Sequence, residues 1–130
     1  IAQYPNRDKI KELMTGPAET PVVMLNLLSF KAQADGDNAG LSGLEVYSRY
    51  AEKMTALVES KGGRLIWSGR VDSFVIGEND TDFQMVALME YPNRAAFLEI
   101  TSSVEVQEIA QYRLDGLAGQ WLLATTQTGL

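Results

Sequence analysis

The 130-residue chain contains neither cysteine nor histidine. The first absence excludes disulfides, thiol nucleophiles and thiolate metal sites. The second excludes imidazole acid–base catalysis and histidine ligation of a metal or haem. Positive charge is scarce as well: 11 Lys and Arg stand against 17 Asp and Glu, a formal net charge of −6. A large nucleic-acid footprint needs clustered cations, and so does an anionic membrane surface. Neither is expected as a partner. No run of about 18 apolar residues occurs, so no membrane span is expected either. The first residues, Ile1 to Arg7, lack the apolar core of a signal peptide. The expected location is the cytoplasm, although a leader already removed leaves no trace in the sequence.

Cofactor signatures are missing too. There is no phosphate loop, no dinucleotide fingerprint and no EF-hand spacing. Asp35, Asp37 and Asn38 superficially suggest a calcium loop, but the required spacing and the terminal glutamate are absent. No metal and no cofactor are expected. Chemistry is left to Asp, Glu, Tyr, Lys, Arg, Ser, Thr and Asn.

What is present is a patterned chain of one-domain size, 45% hydrophobic and 22% charged. Residues 7–15 predict a short helix on Ile10, Leu13 and Met14, ended by Gly16-Pro17. A strand follows over 22–30. Its alternation puts Val22, Met24, Asn26, Leu28 and Phe30 on one face, and Val23, Leu25, Leu27 and Ser29 on the other. Residues 31–42 read as a solvated loop or a lid. Ser42 and Glu45 form a capping box for a helix over 43–61, closed by Gly62-Gly63. Strands are expected over 64–76 and 82–91, joined by a hairpin at Gly77–Thr81. Pro92-Asn93 starts a helix, which Ser102 and Glu105 restart. A last strand covers about 120–126.

The order is β-α-β-β-α-β behind an N-terminal helical extension, residues 1–20. The expectation is a single α+β domain over 1–130, with a ferredoxin-like core at 22–126: a four-stranded antiparallel sheet carrying two helices on one face. Apolar residues lie on both faces of the first strand, while two helices cover one. A homodimer through the sheet faces is the simplest way to bury the other.

Several segments together carry a resemblance. They are Met24-Leu25-Asn26-Leu27-Leu28-Ser29-Phe30-Lys31, the Tyr47 and Tyr50 pair, Gly62-Gly63, Gly69, the run Glu90-Tyr91-Pro92-Asn93-Arg94-Ala95-Ala96-Phe97, Arg113, Leu117 and Ala124-Thr125. Over residues 22–126 the chain resembles the DUF1330 family of the dimeric α+β barrel superfamily. That resemblance implies a ferredoxin-like protomer and a barrel formed by dimerisation through sheet faces. Related superfamily members include antibiotic-biosynthesis monooxygenase-like and muconolactone isomerase-like proteins. By that analogy, cofactor-free isomerisation or oxygenation of a phenolic compound is an implied chemistry. The histidine-based reactions of the superfamily do not carry over.

The candidate site residues each have two readings. Asn26, an amide in an apolar strand, is a clamp on neighbouring backbone or an orienting group for a ligand oxygen. Arg113 is a helix-end cation in an ion pair or a fork for a carboxylate or enolate. Tyr47 and Tyr50 pack as core rings, and Tyr50 is the better pocket candidate. Trp67 and Trp121 line an aromatic pocket or an interface. Glu90 is a cross-strand ion-pair partner, or, if sunk in a cleft, the best general base. Arg94, a cation in a first helical turn, is expected to pair with an acid from 78–82. The functional expectation is a protein that binds, or acts without a cofactor on, a partly apolar carbonyl, carboxylate or phenolic compound. The alternative is a non-catalytic homodimeric module.

Overall fold

A computed structural model describes residues 5–78 and 82–129. The chain begins with α1 (Arg7–Met14), whose Asn6 cap accepts the Lys9 amide at 2.9 Å. The core follows: β1 (Val22–Phe30), α2 (Gly43–Ser60), β2 (Arg64–Arg70), β3 (Met85–Tyr91), α3 (Arg94–Thr101), α4 (Val104–Gly116) and β4 (Leu117–Thr125). The strands form one antiparallel sheet in the order β2-β3-β1-β4. This is the α+β, ferredoxin-like arrangement that the element order predicts.

The barrel is not formed. The sheet is open, with β2 and β4 as its two edges and β3 and β1 between them. The expectation of a dimeric α+β barrel, drawn from the resemblance, is corrected to an open four-stranded antiparallel sheet with helices on one face.

Local chemistry explains the elements. Ser42 accepts the Glu45 amide at 3.1 Å, and Glu45 returns a bond to the Ser42 amide, so the expected capping box opens α2. Asn93 caps α3 through the Ala96 amide at 2.7 Å. The restart of the helix differs by one residue from expectation. Ser103, not Ser102, caps α4 by accepting from Val106. Ser102 instead turns its hydroxyl back to the Leu98 carbonyl and closes α3. The second strand is also shorter than its apolar pattern. Beyond Arg70 the chain leaves the ladder after one last bond, Val71 N to Gln84 O, and Gln84 itself binds β1 through Leu28 O and Phe30 N. The expected hairpin at Gly77–Thr81 has its residues 79–81 outside the described residues.

The core lies between the helices and one sheet face. Val22 and Met24 of β1 meet Met54 and Val58 of α2, Tyr91 of β3, and Phe97 and Ile100 of α3. Leu28 and Phe30 meet Tyr47 of α2 and Leu117 of β4. One backbone junction sets the helix layer on the sheet. The Lys31 amide donates to the Gly116 carbonyl at 2.9 Å, and the Gly43 amide donates to the Lys31 carbonyl at 3.0 Å. The α2 start and the α4 end touch main chain to main chain there. A methyl group on Gly43 would lie 2.2 Å from the Lys31 carbonyl oxygen and 2.5 Å from that of Gly116.

The opposite sheet face carries no helix. The register places Val23, Leu25, Leu27, Val86, Leu88, Trp67, Trp121 and Leu123 there. Trp67 and Trp121 are 55% and 53% exposed. Among the described residues, no helix is long and apolar enough to cross a membrane.

Intrinsic propensity alone would make Gly43→Ala stabilising by about 1 kcal/mol in a helix. The backbone clash reverses the sign. The expected outcome is a loss of about 1–3 kcal/mol, read by chemical denaturation.

Candidate functional site

The sequence sets polar side chains at a few positions of the helix-covered face, and the structure joins three of them. Asn26 sits mid-strand in β1, opposite Ala87 of β3 and Leu122 of β4. Its Nδ2 donates to the carbonyls of Met24 at 3.2 Å and Ala87 at 3.3 Å. Its Oδ1 accepts from Gln120 Nε2 at 2.7 Å. Gln120 Oε1 in turn accepts from Arg113 Nη2 at 2.6 Å. The result is a continuous line from α4 across β4 to the middle of β1. Both ends of the Asn26 amide are engaged, which is how a half-buried amide avoids its desolvation cost.

Gln120 is the residue that sequence reasoning passed over. The signal for it is strand parity. Gln120 falls on the same face of β4 as Leu122 and Ala124, and pairs with the fully buried Leu28. A glutamine at such a position needs partners for both ends of its amide. Asn26 and Arg113 are those partners.

Two tyrosines of α2 stand above this line. Tyr47 stacks at a tilt on Phe30, centroids 5.1 Å apart, and on Tyr50, 5.5 Å apart. Burial pushes the Tyr47 hydroxyl far above the usual phenol range, and the Tyr50 hydroxyl beside it adds to the rise. Burial also raises Tyr50, while the Arg113 guanidinium acts in the opposite direction on both rings. Tyr91 at the end of β3 is raised by burial and by the same two tyrosines. At neutral pH all three are hydroxyl donors rather than bases. The helix-covered side of the sheet therefore brings together a guanidinium, two linked amides and phenol hydroxyls. Such a set stabilises a negative or partly negative oxygen.

The helix layer does not seal this face. Leu122, directly opposite Asn26 on the edge strand β4, is 43% exposed.

Asn26 and Arg113 are brought together through Gln120, with Tyr50 close enough to feel the Arg113 charge. Trp67 and Glu90 are elsewhere. Trp67 pairs with Leu88, and Glu90 with Val23, all on the helix-free face. Glu90 accepts Arg64 Nε at 2.9 Å, the cross-strand ion pair that its position suggests. Arg70 pairs locally with Asp72 at 3.0 Å. The loop over 31–42 is ordered by Lys31, which donates to Asp35 and to the Leu114 carbonyl, and by the Asp35 amide on the Asp115 carbonyl. Among the described residues, no group of three or more acidic side chains is placed to hold a metal ion.

The fold has solved counterparts. A protein of unknown function from Rhodopseudomonas palustris, RPA0582, matches with a TM-score of 0.87 and 24% identity, covering 98% of this chain and 97% of that one. Hydroxynitrile lyase from Passiflora edulis matches at 0.61 with 11% identity, over 86% of this chain and 97% of its own. SnoaB, a cofactor-independent oxygenase from Streptomyces nogalater, matches at 0.51 with 16% identity, over 85% and 97%. At these identities the likeness is one of fold. No protein of curated function matches the chain. The model of one sequence family, described as a domain of unknown function, matches residues 41–126, the stretch that carries α2, Arg113 and Gln120: the chain belongs to the DUF1330 family.

Proposed function

We propose that the chain binds a small, partly apolar molecule through a carbonyl, carboxylate or phenolic oxygen in the cleft between the helices and the sheet. The observation that carries this reading is the line Arg113–Gln120–Asn26. Asn26 is locked to two strand carbonyls and serves as the anchor. Gln120 passes that anchorage to Arg113 and fixes the plane of its fork. Arg113 takes the ligand oxygen, and Tyr50 adds a neutral hydroxyl donor. A planar guanidinium held in place loses little freedom on binding, which favours affinity. Two fold neighbours are described as a cofactor-independent oxygenase and a hydroxynitrile lyase. They support the idea that this scaffold suits small oxygen-bearing molecules, and cofactor-free isomerisation or oxygenation is the reaction class that fits a site stabilising an oxyanion. Glu90, on the other sheet face, is not the base of this cleft.

The second reading is a homodimeric module, favoured by the apolar, helix-free sheet face. Trp67, Trp121 and Leu123 are among the most exposed large apolar side chains of the described residues. A contiguous apolar face of this kind marks an interaction surface, and a second copy covers it in this reading. Binding in the cleft and pairing through the opposite face are compatible.

Titration with 1-naphthol, followed by its fluorescence, tests the cleft. Arg113→Ala is expected to weaken binding at least about tenfold, or about 1.4 kcal/mol. Gln120→Leu is expected to weaken it several-fold without removing the cation. Asn26→Ala is expected to cost about 1–3 kcal/mol of stability, because Gln120 then loses its acceptor. Equal affinity for the parent and Arg113→Ala would sink the reading. For the module, light scattering is expected to give twice the 14.3 kDa chain mass, and Trp121→Asp to return the mass to one chain. A parent protein that runs as a monomer rules the pairing out.

A further inference from the structure

Arg94 is a second buried cation, away from the cleft. Its side chain is 6% exposed. Nη1 donates to the Pro17 carbonyl at 2.8 Å, and Nη2 reaches Thr126 Oγ1 at 3.5 Å. Nε is buried with no hydrogen-bond partner. Among the described residues no carboxylate pairs with it, including Glu78 and Asp82, the described acids of the expected 78–82 segment. The guanidinium is seated against Gly16, where a methyl group would lie 2.6 Å from Nε. Its position in the first turn of α3 adds nothing, since that end of a helix disfavours a cation.

A buried charge without a counter-ion costs several kcal/mol. Something in the protein's working state offsets that cost. The space beside Thr126 supplies a place for it. A pocket of about 400 Å³ opens there, walled by Thr20, Pro21, Val23, Glu90, Thr126 and Gln127. Arg94 lies behind Thr126 rather than on the pocket wall. The Thr126 oxygen accepts from the guanidinium, so its own O–H is free to turn outward as a donor. A donor whose oxygen already accepts from a cation is a stronger donor. Glu90, which also lines the pocket, is held by Arg64 at 2.9 Å. Arg94, Arg64 and Glu90 together leave one positive charge, which a singly charged anion balances. Val23 and Pro21 offer apolar surface for the body of such a molecule.

We propose that this pocket is a carboxylate site, in which a small carboxylic acid accepts the Thr126 hydroxyl and is held by the charge of Arg94 behind it. The site is distinct from the Arg113 cleft. It lies at the Val23 end of β1, where Glu90 and Thr125 pair, and not at the Leu28 end, where Gln120 pairs.

Sodium benzoate is the probe, titrated by calorimetry into the full chain against sodium chloride at equal ionic strength. The expected result is saturable benzoate binding that weakens at least about tenfold in Thr126→Val, a substitution that keeps shape and removes the hydroxyl. Arg94→Lys is expected to weaken it as well, and Arg113→Ala to leave it unchanged. Binding equal in the parent and Thr126→Val overturns the proposal. So does loss of benzoate binding in Arg113→Ala alone, which would put the carboxylate in the cleft. Benzoate heats no larger than those of chloride overturn it too. If Arg94→Lys fails to fold, Thr126→Val, an edge substitution at an exposed position, still decides.

Discussion

The structure depends on one backbone junction, where Lys31, Gly43 and Gly116 exchange hydrogen bonds without a side chain between them. It fixes three things at once: the end of β1, the start of α2 and the end of α4. Packing at side-chain distance would hold the helices 8–10 Å apart. Two glycines let them meet at main-chain distance instead. The α4 end is thereby pressed onto the sheet, and Arg113, in its last turn, comes within reach of Gln120 at the start of β4. The polar line of the cleft is a consequence of that close approach.

The surroundings of Arg113 are also defined by what they exclude. Raised tyrosine pKa values mean that no buried phenol there is ionised at neutral pH. The Asn26–Gln120–Arg113 line consists of two amides and a cation, Glu90 lies on the helix-free face, Asp35 and Asp37 lie in the loop, and buried Asp115 accepts from Gln111. In a chain with net charge −6, Arg94 is buried and Arg113 half-buried. Global charge describes encounter, whereas local charge describes binding.

Much of the fold was legible because its signals are local. The apolar alternation of β1, the Ser42–Glu45 capping box and the Asn93 cap each act within a few residues. What could not be read depends on partners far along the chain. Residues 71–76 continue the strand pattern, yet they leave the sheet after a single bond from Val71 to Gln84. The resemblance carried an expected dimeric barrel, whereas the sheet of this chain is open at β2 and β4. At the site, parity placed Asn26 on the helix-covered face, but the register that sends Glu90 and Trp67 to the other face is set by long-range pairing. Gln120 was open to inference from parity alone. The burial of Arg94 was not, because Gly16 makes room for it from a loop distant in sequence.

The pairing of β1 with β4 joins one of the earliest strands to the last one. Contacts so far apart in sequence form late and slowly. Before Leu117–Thr125 is in place β1 can pair with β3 on one side only, and Asn26 and Gln120 have not met. The amide pair is thus a completion contact: a chain truncated before β4 leaves one edge of Val22–Phe30 open to intermolecular pairing.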